Sequence, residues 1–320
     1  MTTIIRWFSA LLVSLVLSGC VTPAKHSPAL IQQPAAHGNQ PSVLLINSNA
    51  SVERYKTAQN AFTNNINGKN ISILNLQDNH APVQHIQDAL NSHHFDAIYG
   101  IGAKALGSVD HIAPTQPVVF SSVLNWRSFQ DQKNFYGVSS DIAPASQLAM
   151  FKHFFPDIKS IAVMFNKTNL ALVKQAIAAS KELNLTLIPL KVESSRNLSV
   201  YINEAVTSAD ALWLIADPVI LNSSEKVHAI FKAAKINKRP VFATNEVFAE
   251  FGATLTISAD LPTVGRQAAI LINNVIKQRP PAQRIQFPAG SKISLNLNKV
   301  EAYQLNLNYE ALDAVNDLIE

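Results

Sequence analysis

GVSSDIAPASQLAMFKHFFPDIKSIAVMFN, residues 137–166, is the stretch on which the reading of the fold turns. Within it, Ala145–Phe155 reads as an amphipathic helix. Ser160–Phe165, rich in Val, Ile and Phe, reads as a buried strand of a parallel sheet. The same alternation continues on both sides. Upstream, Ser42–Ile46, Ile71–Leu76, Asp96–Ile101 and Pro117–Ser121 read as strands, with helices over Ser51–Asn65, Val83–Ser92 and Ala103–Asp110 between them. Downstream, the strands are Thr186–Leu190, Ala211–Ile215 and Pro240–Thr244. Thr168–Leu183, Leu198–Val206 and Ser224–Asn237 are the helices. Strand–helix repetition of this kind predicts an α/β protein of two lobes, each a parallel sheet flanked by helices. The tail differs: Gln286-Phe287-Pro288 and Lys292–Leu297 read as short strands before a final helix near Tyr309–Leu318.

The quoted stretch resembles the middle of the ABC-transporter substrate-binding proteins, a group that includes binders of tryptophan and tyrosine. The group's pattern is a Gly-Val strand, an acidic residue, a helix ending in Leu-Pro-Asp, and a strand ending in Asn. PVFATNEVFAEFGATLTISADLPTVGRQAAILINNVIKQRPP, residues 240–281, is similar to a later part of the same pattern, with its Gly-Ala pair and Gly-Arg-Gln helix. Lys292–Ala302 resembles the closing strand and Lys-Ala helix. The resemblance implies a periplasmic-binding-protein-like (type I) fold with three crossovers, near Ser121–Tyr136, Ser258–Leu261 and Arg284–Gly290. The first lobe is then 41–125 with 259–285, and the second 136–258 with 286–320. The Gly265–Lys277 helix returns to the first lobe, Gly265 allowing close approach and Arg266 serving as a hinge-side ion-pair partner.

Ligands of open α/β sheets bind beyond the carboxyl ends of the strands, so two facing lobes set two such rims opposite each other. The candidate ligand-binding residues are therefore Asn47, Ser48, Gly102, Ser121 and Ser122 in the first lobe and Asn166, Asp217 and Asn245 in the second, with Asp260 at a crossover. Short hydroxyl and amide groups beside free helix N-terminal amides suit a ligand carboxylate, and an acid opposite suits an ammonium group. The same residue types at strand-to-helix turns also serve as helix N-caps. Against the group's pattern, Ala103-Lys104 replaces a hydroxyl residue and Pro, Leu124-Asn125-Trp126 replaces Thr-Asp-Pro, and Ala243-Thr244-Asn245 replaces Ala-Ser-Asp. Two acids have become amides and one hydroxyl has gone, which counts against an amino-acid zwitterion while leaving ligand binding open.

Other chemistries are poorly served. Gly100-Ile101-Gly102 lacks the third glycine and the following acid of a dinucleotide turn. The histidines at 80, 85, 93 and 94 have no metal-site spacing. There is no Gly-x-Ser-x-Gly elbow, and the 22 acids offer no convincing carboxylate pair. No catalytic residue, cofactor or metal is expected. Lysines are scattered rather than massed with glycine and aromatic residues, which argues against nucleic acid.

At the start of the chain, Arg6 precedes the apolar run Trp7–Leu17 and then Leu17-Ser18-Gly19-Cys20, which resembles a lipobox. Residues 1–19 read as a lipoprotein signal peptide, with Cys20 as the lipid-bearing residue. Cys20 is the one cysteine of 320 residues, so disulfides and thiolate sites in the body are excluded. Residues 20–40 read as a tether, with prolines at 23, 28 and 34. The expected protein is a lipid-anchored, periplasm-facing solute-binding component of an ABC importer. Its partners would be membrane lipid through Cys20, an inner-membrane permease, and a small organic ligand such as an aromatic amino acid or a related compound. The alternative is a binding-protein-like lipoprotein that acts as sensor or partner of a membrane receptor without transport. Val21, where an Asp would retain a lipoprotein in the inner membrane, tilts the anchor toward the outer membrane of a two-membrane cell.

Overall fold

The computed structural model of the chain describes residues 31–32, 40–77, 81–124 and 126–320. Its order begins with β1 (Ile31–Gln32), β2 (Ser42–Asn47), α1 (Glu53–Thr63), β3 (Asn70–Asn75), α2 (Pro82–Ser92), β4 (Ala97–Ile101), α3 (Ala103–Ile112), β5 (Val118–Ser121) and β6 (Phe135–Val138). It continues with α4 (Pro144–Phe154), β7 (Ser160–Phe165), α5 (Leu170–Glu182), β8 (Thr186–Lys191), α6 (Leu198–Ser208), β9 (Ala211–Leu214), α7 (Ser224–Ile236), β10 (Val241–Ala243), α8 (Val247–Glu250) and β11 (Leu255–Ala259). The last elements are α9 (Leu261–Ile276), β12 (Ile285–Gln286), β13 (Ser291–Asn296), α10 (Leu297–Ala302) and β14 (Asp317–Ile319).

Among the described residues the strands form two sheets, ordered β1-β3-β2-β4-β5-β6-β12 and β14-β13-β11-β10-β9-β7-β8. The first is parallel except for β1, which runs antiparallel to β3. The second is parallel from β8 to β11, with β13 antiparallel to β11 and β14 parallel to β13.

Helices cover both faces of each sheet, which is why inner strands such as β4, β5, β9 and β10 are buried along their whole length instead of alternating. In β2, Val43 and Leu45 pack with Phe62, Val264 and Ala268 under α1 and α9, while Leu44 and Ile46 pack with Ile86 and Leu106 under α2 and α3. In β7, Ile161 and Val163 join Phe151, Trp213 and Phe242; Ala162 and Met164 join Ile202 and Ile230. Trp213 is buried with its indole N–H donated to Gln147 at 2.9 Å. Gln147 in turn donates to the Ile142 carbonyl at 3.1 Å, fixing the start of α4 to the connection before it.

The lobes join where the chain leaves one sheet for the other: 139–143, Asp260, and 287–290. The first of these differs from the expectation of a crossover at 121–136 and a second lobe from 136. Phe135 and Val138 are buried, and β6 pairs with β5, so these residues close the first sheet. The tail also differs. The helix expected near Tyr309–Leu318 is a 3-10 turn over Tyr309–Ala314 followed by β14, because Leu318 pairs beside Leu295 and extends the second sheet. Ile31–Gln32, expected in the tether, adds the edge strand of the first sheet. The expected signal segment, Cys20 and the tether apart from Ile31, Gln32 and Gln40 lie outside the described residues, as do Asp78, His80 and Asn125.

Candidate functional site

Most of the expected first-lobe residues turn into the lobe. Asn47 is fully buried: its amide donates to Gln59 Oε1 at 2.8 Å and its Oδ1 accepts from the Asn49 N–H at 3.0 Å. Ser48 Oγ accepts from the Ala105 N–H at 2.9 Å and so satisfies an open amide at the start of α3. Gly102 has φ +85°, and a Cβ there would stand 2.6 Å from Ser48 Oγ and 2.9 Å from the Tyr55 ring. Ser121 is hydrogen-bonded to the phenol of Tyr99 at 2.7 Å, and burial pushes that phenol's pKa up despite the bond. Lys104 donates to the Leu76 and Gln77 carbonyls, away from the cleft.

The second lobe repeats the pattern. Asn166 Nδ2 donates to the Val192 carbonyl at 2.9 Å. Asp217, 3% exposed, accepts from the N–H groups of Asn166 (2.7 Å), Val219 (2.9 Å) and Ile220 (3.2 Å) and from Asn169 Nδ2 (2.9 Å). Its carboxylate thereby pins the ends of β7 and β9 together. Asp260 caps α9, accepting from the Thr263 N–H at 2.9 Å, and lies 3.8 Å from Arg266. Asp260 is thus the N-cap of the helix it precedes, whereas the Asn166 side chain caps no helix and Asp217, although engaged in these bonds, still lines the space between the lobes.

Ser122 and Asn245 face the space between the lobes. Ser122 adopts φ +58°, uncommon for a residue with a Cβ, and its Oγ is buried without a partner. It shares a recess of about 90 Å³ with Ser139, Ser140 and Asp141 of the first crossover and Thr244 and Asn245 of the opposite lobe. Ser140 Oγ is likewise buried and unpartnered. Unpartnered hydroxyls at such a place are unmet hydrogen-bonding capacity, expensive unless a ligand or water meets it.

Beside the recess, and sharing Arg54, Leu124, Ala216 and Asn245 with it, lies a wider cavity of about 390 Å³ whose walls include Pro218, Leu221, Val247 and Phe248, with Arg54, Arg127 and Asp217 among its polar lining. Asp141 accepts from Arg127 Nη1 at 2.7 Å and from the Trp126 indole N–H at 3.0 Å, and the Arg127 guanidinium stacks on Trp126 at 4.3 Å. Trp126 is thus part of the hinge packing. Arg54 donates to the Tyr55 hydroxyl at 2.9 Å, and no ion pair to it is found among the described residues. Arg54, Arg127, Ser139, Ser140 and Asp141 were not expected as site residues. Only Asp141 carried a signal, as the acidic residue after Gly137-Val138 in the family pattern.

The Gly265-Arg266-Gln267 sequence assembles the hinge. Gly265 lets α9 lie against α1, Arg266 approaches Asp260 at the second crossover, and Gln267 holds the third. Its Nε2 donates to the Phe287 carbonyl at 3.0 Å and its Oε1 accepts from the Ala289 N–H at 3.0 Å. Among the described residues, no helix is long and apolar enough to cross a membrane and no group of three or more metal-ligating side chains occurs.

Residues 45–315 match the family described as ABC transporter substrate binding protein. No curated protein sequence matches the chain. Solved structures share its fold. A conserved domain protein from Vibrio cholerae O1 biovar El Tor is 17% identical, with 87% of this chain and 99% of that one covered at TM-score 0.59. The ABC domain from Streptococcus pneumoniae in complex with L-Trp is 17% identical, with 88% and 100% covered at TM-score 0.60. A ligand-free, open substrate-binding protein with adhesive properties from Clostridium difficile is 16% identical, with 88% and 99% covered at TM-score 0.66. At these identities the likeness concerns the fold, which is the two-lobed periplasmic-binding-protein type.

Proposed function

Because this chain belongs to the ABC transporter substrate-binding protein family, we propose that it captures a small organic solute between its lobes and presents the closed form to the inner-membrane permease of an ABC importer. The observation that carries this is the recess at the first crossover, where the buried hydroxyls of Ser122 and Ser140 have no partner within the protein. A polar head group would meet them, and the apolar walls of the wider cavity would take the rest of the molecule. The L-Trp complex of the pneumococcal relative supports an aromatic amino acid or a related compound as the class to try first. In this reading the crossovers bend, and ligand shifts the population toward the closed state. Cys20 would carry the lipid, and residues 21–30, ahead of the edge strand at Ile31–Gln32, would hold the body above the membrane facing the periplasm.

Thermal denaturation of the detergent-purified full chain, against amino acids, organic acids, amines, nucleosides and sugars, tests this. A ligand that binds only the folded state at a hundredfold excess over its Kd adds about 2.7 kcal/mol of stability. A shift with one chemical class, reduced by Ser140→Ala, supports the reading. No shift with any class would move the assignment to the sensor or protein-partner alternative, which Val21 beside Cys20 favours. Labelling of the chain, but not of Cys20→Ala, with radioactive palmitate tests the anchor.

A further inference from the structure

Resting on solute capture in the same cavity, we infer that the ligand is an apolar monocarboxylate without a free ammonium group, held by Arg54 and the hydroxyls of Ser122 and Ser140. Charge disposition carries the inference. A bound ammonium group needs an acid whose charge is free to face it, and the acids lining the cavity are already committed. Asp217 spends its oxygens on three backbone N–H groups and Asn169. Asp141 is matched by Arg127 at 2.7 Å and the Trp126 N–H at 3.0 Å, so an ammonium beside it would also stand beside a guanidinium. Glu246 is exposed to solvent and is engaged by Lys292 at 3.2 Å, an ammonium it shares with Asp317 at 2.9 Å.

The positive side is different. Arg54 lines both the recess and the wider cavity and has no ion-pair partner among the described residues. Tyr55 holds it in place through a 2.9 Å hydrogen bond and a ring 4.7 Å from the guanidinium. An uncompensated guanidinium lining the same recess as two unpartnered hydroxyls makes a carboxylate receptor. Asn245, on the rim of the second lobe, is a neutral amide and brings no negative charge to the cavity. Beyond the head group, Leu124, Leu221, Val247 and Phe248 offer surface for an aliphatic or aromatic body.

The test is calorimetric titration of the detergent-purified full chain with three matched sets, each a carboxylic acid, its amino acid and its amine. These are phenylpyruvate, phenylalanine and phenethylamine; indole-3-acetate, tryptophan and tryptamine; 4-methyl-2-oxopentanoate, leucine and isopentylamine. The expected result is binding of at least one acid ten times or more tighter than its amino acid, with no detectable binding of its amine. Arg54→Gln should weaken that acid tenfold or more and Arg54→Lys should restore part of the loss, with ligand-free melting curves reporting the folding of each variant. Equal or tighter binding of an amino acid or amine, or an Arg54→Gln variant that binds the acid as well as the parent, overturns the inference and leaves solute capture standing. Binding of none of the acids while a neutral solute binds overturns it in the same way. Absence of binding across every class of solute overturns both.

Discussion

Gly265 of α9 lies so close to Ala58 of α1 that a Cβ on the glycine would stand 2.4 Å from the Ala58 carbonyl oxygen, and 2.7 Å from the Ala61 methyl. Both neighbours belong to a helix whose buried face, Ala58 and Phe62, is itself packed on the sheet. The contact has no room to give. Gly265→Ala should therefore destabilise the protein by about 1–3 kcal/mol, the usual cost of overpacking, or more if α9 is forced off α1. Chemical denaturation checks this, and a variant as stable as the parent would refute the close-packing argument.

Asp217 should behave as a structural residue. Asp217→Asn replaces an acceptor of four hydrogen bonds by a group that is half donor, inside a site 3% exposed. The expected cost is about 1.5–3 kcal/mol, as for hydrogen bonds to a buried charge. Melting temperature should fall in the absence of ligand, which separates this role from a ligand contact.

Asp210 makes folding sensitive to acid. Burial pushes its carboxyl up, but the hydroxyl of Ser160, the N–H groups of Lys159 and Ser160 and the charge of Arg239 outweigh this and hold its pKa below the ordinary value. A depressed folded pKa stabilises above the unfolded carboxylate value of about 3.9 and ceases to do so as pH falls through the folded value. Asp210→Asn should thus cost about 1 kcal/mol near neutral pH, allowing for solvent screening. The gap from the parent should close as the pH drops below 3.9. Urea denaturation of both proteins across that range measures it.

Arg127 and Asp141 join the first lobe to the crossover, with side chains 18% and 9% exposed. A double-mutant cycle over Arg127→Met and Asp141→Asn should give a coupling of about 1–3 kcal/mol, since the pair is in direct contact and mostly shielded from water. Coupling near zero would mean that Trp126 alone orients the acid.

The alternation of apolar runs with helical stretches placed the strands read between Ser42 and Thr244 within one or two residues, because each apolar run is bounded by polar or turn-forming residues on both sides, even at the partly exposed β3 and β8. β6 (Phe135–Val138) escaped because it adjoins the segment whose family likeness begins at Gly137, so it was read as the end of a crossover and the start of the second lobe. The site was harder to read for a different reason. A strand-end position fixes how high a residue sits on the sheet but not which way its side chain leaves. Asn47 lies at the right height, yet its amide is claimed by Gln59. Ser48 is claimed by the α3 amide. Arg54 carries no local signal because its placement depends on Tyr55, whose own seat requires Gly102 to lack a side chain. Ser139 and Ser140 were hidden by the misplaced crossover.

Three short connections, at 139–143, Asp260 and 287–290, tie the lobes together. Two bodies joined by a single thread can swivel in any direction, whereas three threads in a row behave like the knuckles of a door. They leave one easy rotation and resist the others. On the proposed function, a permease reading this molecule from outside would face a two-valued signal, shut or ajar, instead of a continuum of postures. Each residue that stiffens a knuckle, Gln267 and Arg266 above all, sharpens that signal without touching what the cleft contains.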